Sequence, residues 1–409
     1  MKKLLIIGGG TAGWLAAGYF SQKGYPVTLI ESDQVPIVGV GESTLPAMNA
    51  FAQELGMTES EWMPLSDATV KLGIRHQGWS GQDSEWWNWF LYDRTQEHEP
   101  QQHLAQGTLP AQSELKYAYH VNANQFGETI ARTVALRNGI EHVVAHIDQV
   151  QGNPETGIVG LTTTDGRQFS ADFYIDCTGW RRLLGEVVGM KYHYYEHLVQ
   201  DRAIAGPRTP TTQNRYTLTQ AASAGWLWEV PLTTRRGTGY VYSSQFSTDQ
   251  EAFEEYLKFY PGADWDRMNK IKFRPEVCTN NINTNVSMVG LSGGFLEPLE
   301  ATGVFMIQFM IEQTHLYLSG ERSARVINRN QKRVFDEVAL YLLAHYTLSG
   351  RQDSEFWKYY HDLERKLNTR DQVLERANRP DVGHWESSTL FKPYSWWALA
   401  RAYNLLEKE

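Results

Sequence analysis

Six residues near the start of the chain constrain its fold more than any others. Gly8-Gly9-Gly10-Thr11-Ala12-Gly13 follows the apolar run Leu4-Leu5-Ile6-Ile7, and Gly8, Gly10 and Gly13 fill a GxGxxG pattern. The first glycine permits a tight turn, the second lets a pyrophosphate approach the backbone through Thr11 and Ala12, and the third lets a helix pack on the strand. Trp14 to Phe20 reads as that helix. A second strand, Val27 to Ile30, ends at Glu31, where an acidic side chain takes ribose hydroxyls. Strand, loop, helix, strand and acid in this order predict a dinucleotide-binding βαβ unit, whereas a glycine turn kept only for packing would not need Glu31.

Bulk properties narrow the class. At 409 residues with 42% apolar side chains, the chain can bury a large core and is not of the disordered kind. A formal charge of −9 argues against a nucleic-acid partner, which needs a basic surface. Two cysteines, Cys177 and Cys278, make neither a disulfide framework nor a metal pattern, and they fit a reducing cytoplasm. The amino terminus breaks into glycines too early for a signal peptide. Val304 to Ile311 falls short of the ~20 apolar residues of a membrane span. Tyr192 to His197 has metal-ligand composition without metal spacing, so no metal site is expected.

Further segments point to a flavin. Asp176-Cys177-Thr178-Gly179 follows an apolar strand and resembles the D-x-[ST]-G turn of flavin hydroxylase-type folds. Val289-Gly290-Leu291 through Leu296-Glu297-Pro298 resembles the late flavin-contacting loop of the same superfamily. Two motifs narrow the resemblance: Gly225-Trp226-Leu227-Trp228-Glu229-Val230-Pro231, and Leu296 to Gly303, which reads LEPLEATG. With Val38 to Pro46 (VGVGESTLP), these resemble the flavin-dependent tryptophan halogenases along nearly the whole chain.

The resemblance implies FAD held by Gly8, Gly10, Thr11, Ala12, Gly13, Glu31, Asp176, Gly179, Gly290, Leu296, Thr302 and Gly303. It adds Gly39, Val40, Gly41 and Glu42 from the VGVGE segment. Trp226, Trp228 and Pro231 would lie beside the flavin and keep substrate off the ring. Reduced flavin would come from a separate flavin reductase, since no second nucleotide fingerprint appears, and chloride or bromide would be the co-substrate. Glu300 would be the active-site glutamate, orienting the halogenating species and accepting the ring proton. Trp86, Asn88 and Phe90 would flank a small aromatic substrate. A homodimer is a further expectation of the family.

One departure shapes the functional reading. The family's catalytic lysine is expected in a pattern like FKxxIKxxxW, and aligning it with Val70 to Trp79 puts Lys71 at the first lysine and Arg75 at the catalytic position. Arginine stays charged and is a poor nucleophile towards halogen. On one continuous strand Lys71, Gly73 and Arg75 would share a face, leaving Lys71 distant unless the register changed. His76 reads as a packing or surface residue. The expected function is therefore a halogenase acting on an indole-like ring. A non-halogenating flavin monooxygenase or oxidase is the alternative, and a flavin-binding accessory protein a third class.

The fold class expected is α/β: a Rossmann-type FAD-binding part interleaved with a β-sheet substrate region, then helices. The first module would span 1–305, its FAD part drawn from about 1–70, 130–190 and 285–305, with a helical region over 306–409.

Overall fold

The computed structural model describes residues 1–35, 41–91, 94–111, 114–122, 125–210, 214–379 and 390–406, so Gly39 and Val40 lie outside the described residues. Strand β1 (Leu4–Ile7) sits inside a six-stranded sheet, paired in parallel with β2 (Val27–Glu31) and with Phe173–Asp176. Glu141–Val144 and Val286–Met288 extend the parallel set, and Ile282–Asn283 closes one edge antiparallel. All four residues of β1 are buried, which is why they are apolar without alternation. Helix α1 (Thr11–Gln22) packs nearly its whole surface into the core, so it too is apolar on every side.

The second large sheet has seven strands in the order Asn269–Lys272, Arg202–Arg208, Arg236–Tyr242, Gly225–Pro231, Tyr216–Ala221, β5 (Gly73–Gln77) and β6 (Glu85–Trp89). All its pairings are antiparallel except that of β5 with Tyr216–Ala221. The GWLWEVP strand is central and buried at all seven positions. Its alternation turns Trp226, Trp228 and Val230 towards the main core, while Leu227 packs with Tyr240 and Tyr256 on the opposite face.

A small third sheet places β7 (Ala118–Asn122) between β3 (Gly41–Ser43) and β4 (Thr69–Lys71). The chain therefore changes sheets between Lys71 and Gly73. At the crossing, Leu72 donates its N–H to Arg215 O at 2.8 Å and accepts from Phe90 N at 3.0 Å. A Cβ at position 73 would fall 2.6 Å from Asn88 O and 2.8 Å from the Trp89 ring, so only glycine passes there.

After residue 301 the structure is helical, with Thr302–Leu318, Ala324–Thr347, Glu355–Leu367, Thr369–Ala377 and Pro393–Ala402. Two consecutive left-handed residues, Glu300 at φ 68° and Ala301 at φ 58°, turn the chain into the first of these helices. Each costs a non-glycine residue on the order of 1–3 kcal/mol and persists because the surroundings hold it. Among the described residues, no helix is long and apolar enough to cross a membrane.

Candidate active site

A cavity of about 840 Å³ is lined by residues that include Glu31, Ser32 and Glu300. Its walls come from the glycine loop, the turn after Asp176, the face of the seven-stranded sheet bearing Trp226 and Trp228, and the start of helix Thr302–Leu318. The glycine loop is built for a diphosphate. A Cβ on Gly13 would fall 1.7 Å from Gly8 O, so this glycine lets helix and strand close up, whereas a Cβ on Gly10 would point into open space. That space, in front of the first turn of α1, is where an anionic bridge fits. Glu31 is held by His142 Nε2 at 2.7 Å, which fixes its carboxylate at the ribose end.

Of the residues assigned to FAD from sequence, Gly8, Gly10, Thr11, Ala12, Glu31, Glu42, Gly179, Gly290, Leu296, Thr302 and Gly303 line this cavity. Among the described residues, Asp176 and Gly13 are not among its walls. Asp176 is buried, and its carboxylate accepts from Thr178 N, Thr178 Oγ1, Leu184 N and Gly185 N at 2.7–3.4 Å. It holds the turn that carries Thr178 and Gly179 rather than meeting a ligand. Pro231 ends its strand and accepts a hydrogen bond from Thr69 Oγ1 at 2.6 Å, while Val230 reaches the cavity. FAD fits these walls: a ribose anchor, an open glycine cradle, a long channel and an aromatic wall. Burial pushes the Glu42 carboxyl, on that wall, up to about 7.

Around Glu300 lies a dry cluster of ionisable groups. Lys71 is fully buried, its Nζ donating to Thr44 O at 3.1 Å and lying 4.9 Å from the centre of the Phe90 ring. Burial lowers its pKa to about 7, against the opposing pull of the Glu300 charge. Glu300, also buried, accepts from Asn88 Nδ2 at 2.8 Å on Oε2. Its Oε1 faces His345 Nε2 and His76 Nε2, each at 3.1 Å. Burial alone would raise the Glu300 pKa, but the hydrogen bonds of His345 and His76 outweigh it and hold the carboxyl well below its ordinary range. The same burial brings His76 down to about 4, so it is neutral. His76 stacks on Trp86 with ring centres 4.0 Å apart, and its Nε2 contact with Glu300 lies off the line of a good hydrogen bond.

Arg75 is elsewhere. Its Nη2 pairs with Glu85 at 2.5 Å and its Nη1 donates to Tyr216 at 3.3 Å, with the side chain 28% exposed. The expectation that Arg75 stands in for a catalytic lysine is corrected by the change of sheets at Leu72. Because β4 and β5 belong to different sheets, the parity of one strand does not carry across the break. In β5 it is Ile74 and His76 that point inwards, while Arg75 and Gln77 point out. Of the two expectations for His76, surface or packing, the surface one is corrected: the side chain is buried and stacks on Trp86, facing Glu300 as well.

Trp86 and Asn88 share the inward face of β6 with Phe90 just beyond it, and the opposite-facing Trp87 and Trp89 stack on each other at 4.2 Å. These side chains already have protein partners: Trp86 on His76, Asn88 on Glu300, Phe90 over Lys71. Sequence reasoning missed His345. It stands in the last turn of a helix, and nothing local marks it as a partner of a residue 45 positions away.

The tryptophan halogenase family model matches residues 3–105 and 91–409 of this chain. The chain belongs to that family. It is 29% identical to the tryptophan 6-halogenase SttH of Streptomyces toxytricini, over 97% of this chain and 88% of that protein. Its fold matches Xcc4156, a flavin-dependent halogenase from Xanthomonas campestris, with a TM-score of 0.89 at 26% identity, covering 100% of this chain and 90% of that one. BrvH, a flavin-dependent halogenase from Brevundimonas sp. BAL3, matches with a TM-score of 0.86 at 27% identity, over 100% and 91%. The chain is thus a FAD-dependent halogenase acting on an aromatic ring, and the monooxygenase alternative loses the argument that Arg75 supplied.

Proposed function

We propose that this enzyme halogenates an indole-like ring with reduced FAD delivered by a separate reductase, using Lys71 and Glu300 as the working pair. The observation that carries this reading is the burial of Lys71 within reach of the charge of Glu300, a residue that lines the nucleotide cavity. FAD, bound in its reduced form, supplies the electrons that convert dioxygen and halide into hypohalous acid. Glu42, Gly41 and the turn held by Asp176 shape the flavin pocket, and Trp226 and Trp228 wall it off from substrate.

Lys71 donates a hydrogen bond to the oxygen of HO–X from its ammonium form, which coexists with the amine near neutrality. The ring attacks the halogen, the O–X bond breaks, and the leaving oxygen takes the Lys71 proton to become water. The ring proton passes to Glu300, giving Ar–X, H2O, a lysine amine and a glutamic acid. Transfer of one proton back from Glu300 to Lys71 restores the pair. Glu300 stays anionic because of its hydrogen bonds, so its charge faces the cationic ring as the new bond forms.

Trp86, Asn88 and Phe90 are assigned to the substrate side, where displacing Asn88 from Glu300 frees the carboxylate. A reducing cytoplasm and a homodimer complete the proposal. The test is purified protein with FAD, a flavin reductase, NADH, air and bromide, and a panel of indoles and phenols. A bromine isotope doublet that vanishes on Glu300→Gln supports the reading, and a product gaining only oxygen overturns it.

A further inference from the structure

We propose that Glu300 and His345 share a single proton through Oε1 and Nε2, which makes His345 a positioning residue and leaves Glu300 Oε2 as the oxygen that works on substrate. This inference deepens the reading above and rests on Glu300 being the group that receives the ring proton.

The argument begins with the far side of the imidazole. His345 Nδ1 stands 2.8 Å from the backbone oxygen of Tyr341, one helical turn earlier. A carbonyl only accepts, so Nδ1 carries a hydrogen. In a neutral ring Nε2 would then present a bare lone pair, and it faces Glu300 Oε1 at 3.1 Å with both side chains essentially inaccessible to water. Two lone pairs at that separation in a dry core repel. One proton between them, resting on the Nε2 side so that the carboxylate keeps its charge, removes the conflict.

His76 is different. Thr219 Oγ1 accepts from the Trp79 indole N–H at 3.1 Å and lies 2.8 Å from His76 Nδ1. An indole nitrogen only donates, so the threonine hydroxyl keeps its own proton free for His76 Nδ1. The hydrogen of neutral His76 then sits on Nε2, which faces the same Oε1 at 3.1 Å but off the line of a good hydrogen bond. Glu300 Oε1 therefore faces both imidazoles and is hydrogen-bonded to that of His345. Among the described residues Oε2 is hydrogen-bonded by Asn88 Nδ2 alone, and Asn88 is the polar group of β6 that a ring substrate would displace.

The remaining groups around Glu300 add no competing acid. Tyr341 donates its hydroxyl to Ser395 O, and Tyr403 donates to the backbone oxygen of His345. Lys71 acts on Glu300 through its charge, and Trp86 contributes only ring contacts to both histidines.

The test needs no flavin. Protein labelled with ¹⁵N-histidine is studied by NMR at pH 7 in EDTA, so that no metal ion can occupy the three facing donor atoms of His76, Glu300 and His345. The His345 signals are assigned by their loss in His345→Gln. The expected wild-type spectrum shows a proton on Nδ1 and a protonated or proton-sharing Nε2. In Glu300→Gln the new amide donates to Nε2, and His345 should become a neutral ring with an unprotonated Nε2. A bare Nε2 in the wild type, or a spectrum that Glu300→Gln leaves unchanged, overturns the proposal, and the wild-type spectrum suffices for this if the variant does not fold.

The kinetic counterpart is His345→Gln, whose amide replaces the shared proton with a fixed N–H. It should lower kcat by about tenfold while KM for the ring substrate stays within about twofold. An unchanged kcat would contradict the assignment. Because the NMR measurement is made without cofactor, a chain that brominates nothing would sink the halogenase reading and leave the shared proton standing.

Discussion

Replacing Lys71 with methionine should make the protein more stable at neutral pH while abolishing its halogenation. The fall of the Lys71 pKa from 10.5 to about 7 comes from burial. At ~1.4 kcal/mol per pH unit, this corresponds to roughly 5 kcal/mol held against folding when the ammonium would be charged in water. The sign follows from proton counting. Between pH 7 and 10.5 the unfolded chain holds a proton that the folded chain has lost, so wild-type stability rises with pH through that window.

Methionine has nearly the same shape and no charge to bury, but its presence leaves Thr44 O without the donor it has at 3.1 Å. Subtracting ~1 kcal/mol for that bond leaves an expected gain of about 2–4 kcal/mol at pH 7. Urea unfolding of both proteins at pH 7, 8 and 9 measures it. The advantage of Lys71→Met should shrink by ~1.4 kcal/mol per unit above about pH 8. A constant difference across that range, or a variant that is less stable throughout, would refute the claim that Lys71 is a desolvated amine.

Other consequences are quickly checked. Glu300→Gln should retain the fold and lose ~10²-fold or more in bromination rate, read by product mass spectrometry with a fixed reductase supply. Arg75→Lys should leave bromination within about twofold, and Arg75→Ala should cost at most ~1 kcal/mol in unfolding experiments, because its ion pair with Glu85 is partly solvated. Gly10→Ala should leave the melting temperature of the flavin-free protein nearly unchanged while removing the increase that added FAD produces, because its new methyl would point into the open cradle. Gly13→Ala should instead destabilise the flavin-free protein itself, since its Cβ overlaps Gly8 O.

Much of the fold was legible because its signals are local. The glycine loop, the uniformly apolar β1 and the acid at the end of β2 are all contained within the first 31 residues, and the family motifs placed Glu300 on the cavity wall. Arg75 was taken for an inward-facing position because a sequence pattern does not show where one strand stops. Lys71 and Arg75 look like two positions of a single strand until Leu72 is seen to pair with Arg215 and Phe90 at the boundary between two sheets. Gly73 was the available signal, an isolated glycine where two backbones cross closely. His345 was illegible for another reason. Its partner is supplied by a strained turn with two left-handed non-glycine residues, and neither helical periodicity nor composition predicts such a turn. Asp176 was assigned to the ligand because its motif borders a cofactor, whereas its carboxylate is spent on four groups of its own turn.

The most direct test of the account is a side-by-side bromination assay of the wild type, Lys71→Met and Arg75→Lys with one accepted indole, saturating FAD, a flavin reductase and NADH. The account predicts a brominated product from the wild type and from Arg75→Lys, and none from Lys71→Met. Bromination that survives Lys71→Met but changes sharply with Arg75→Lys would contradict it and return the catalytic role to Arg75.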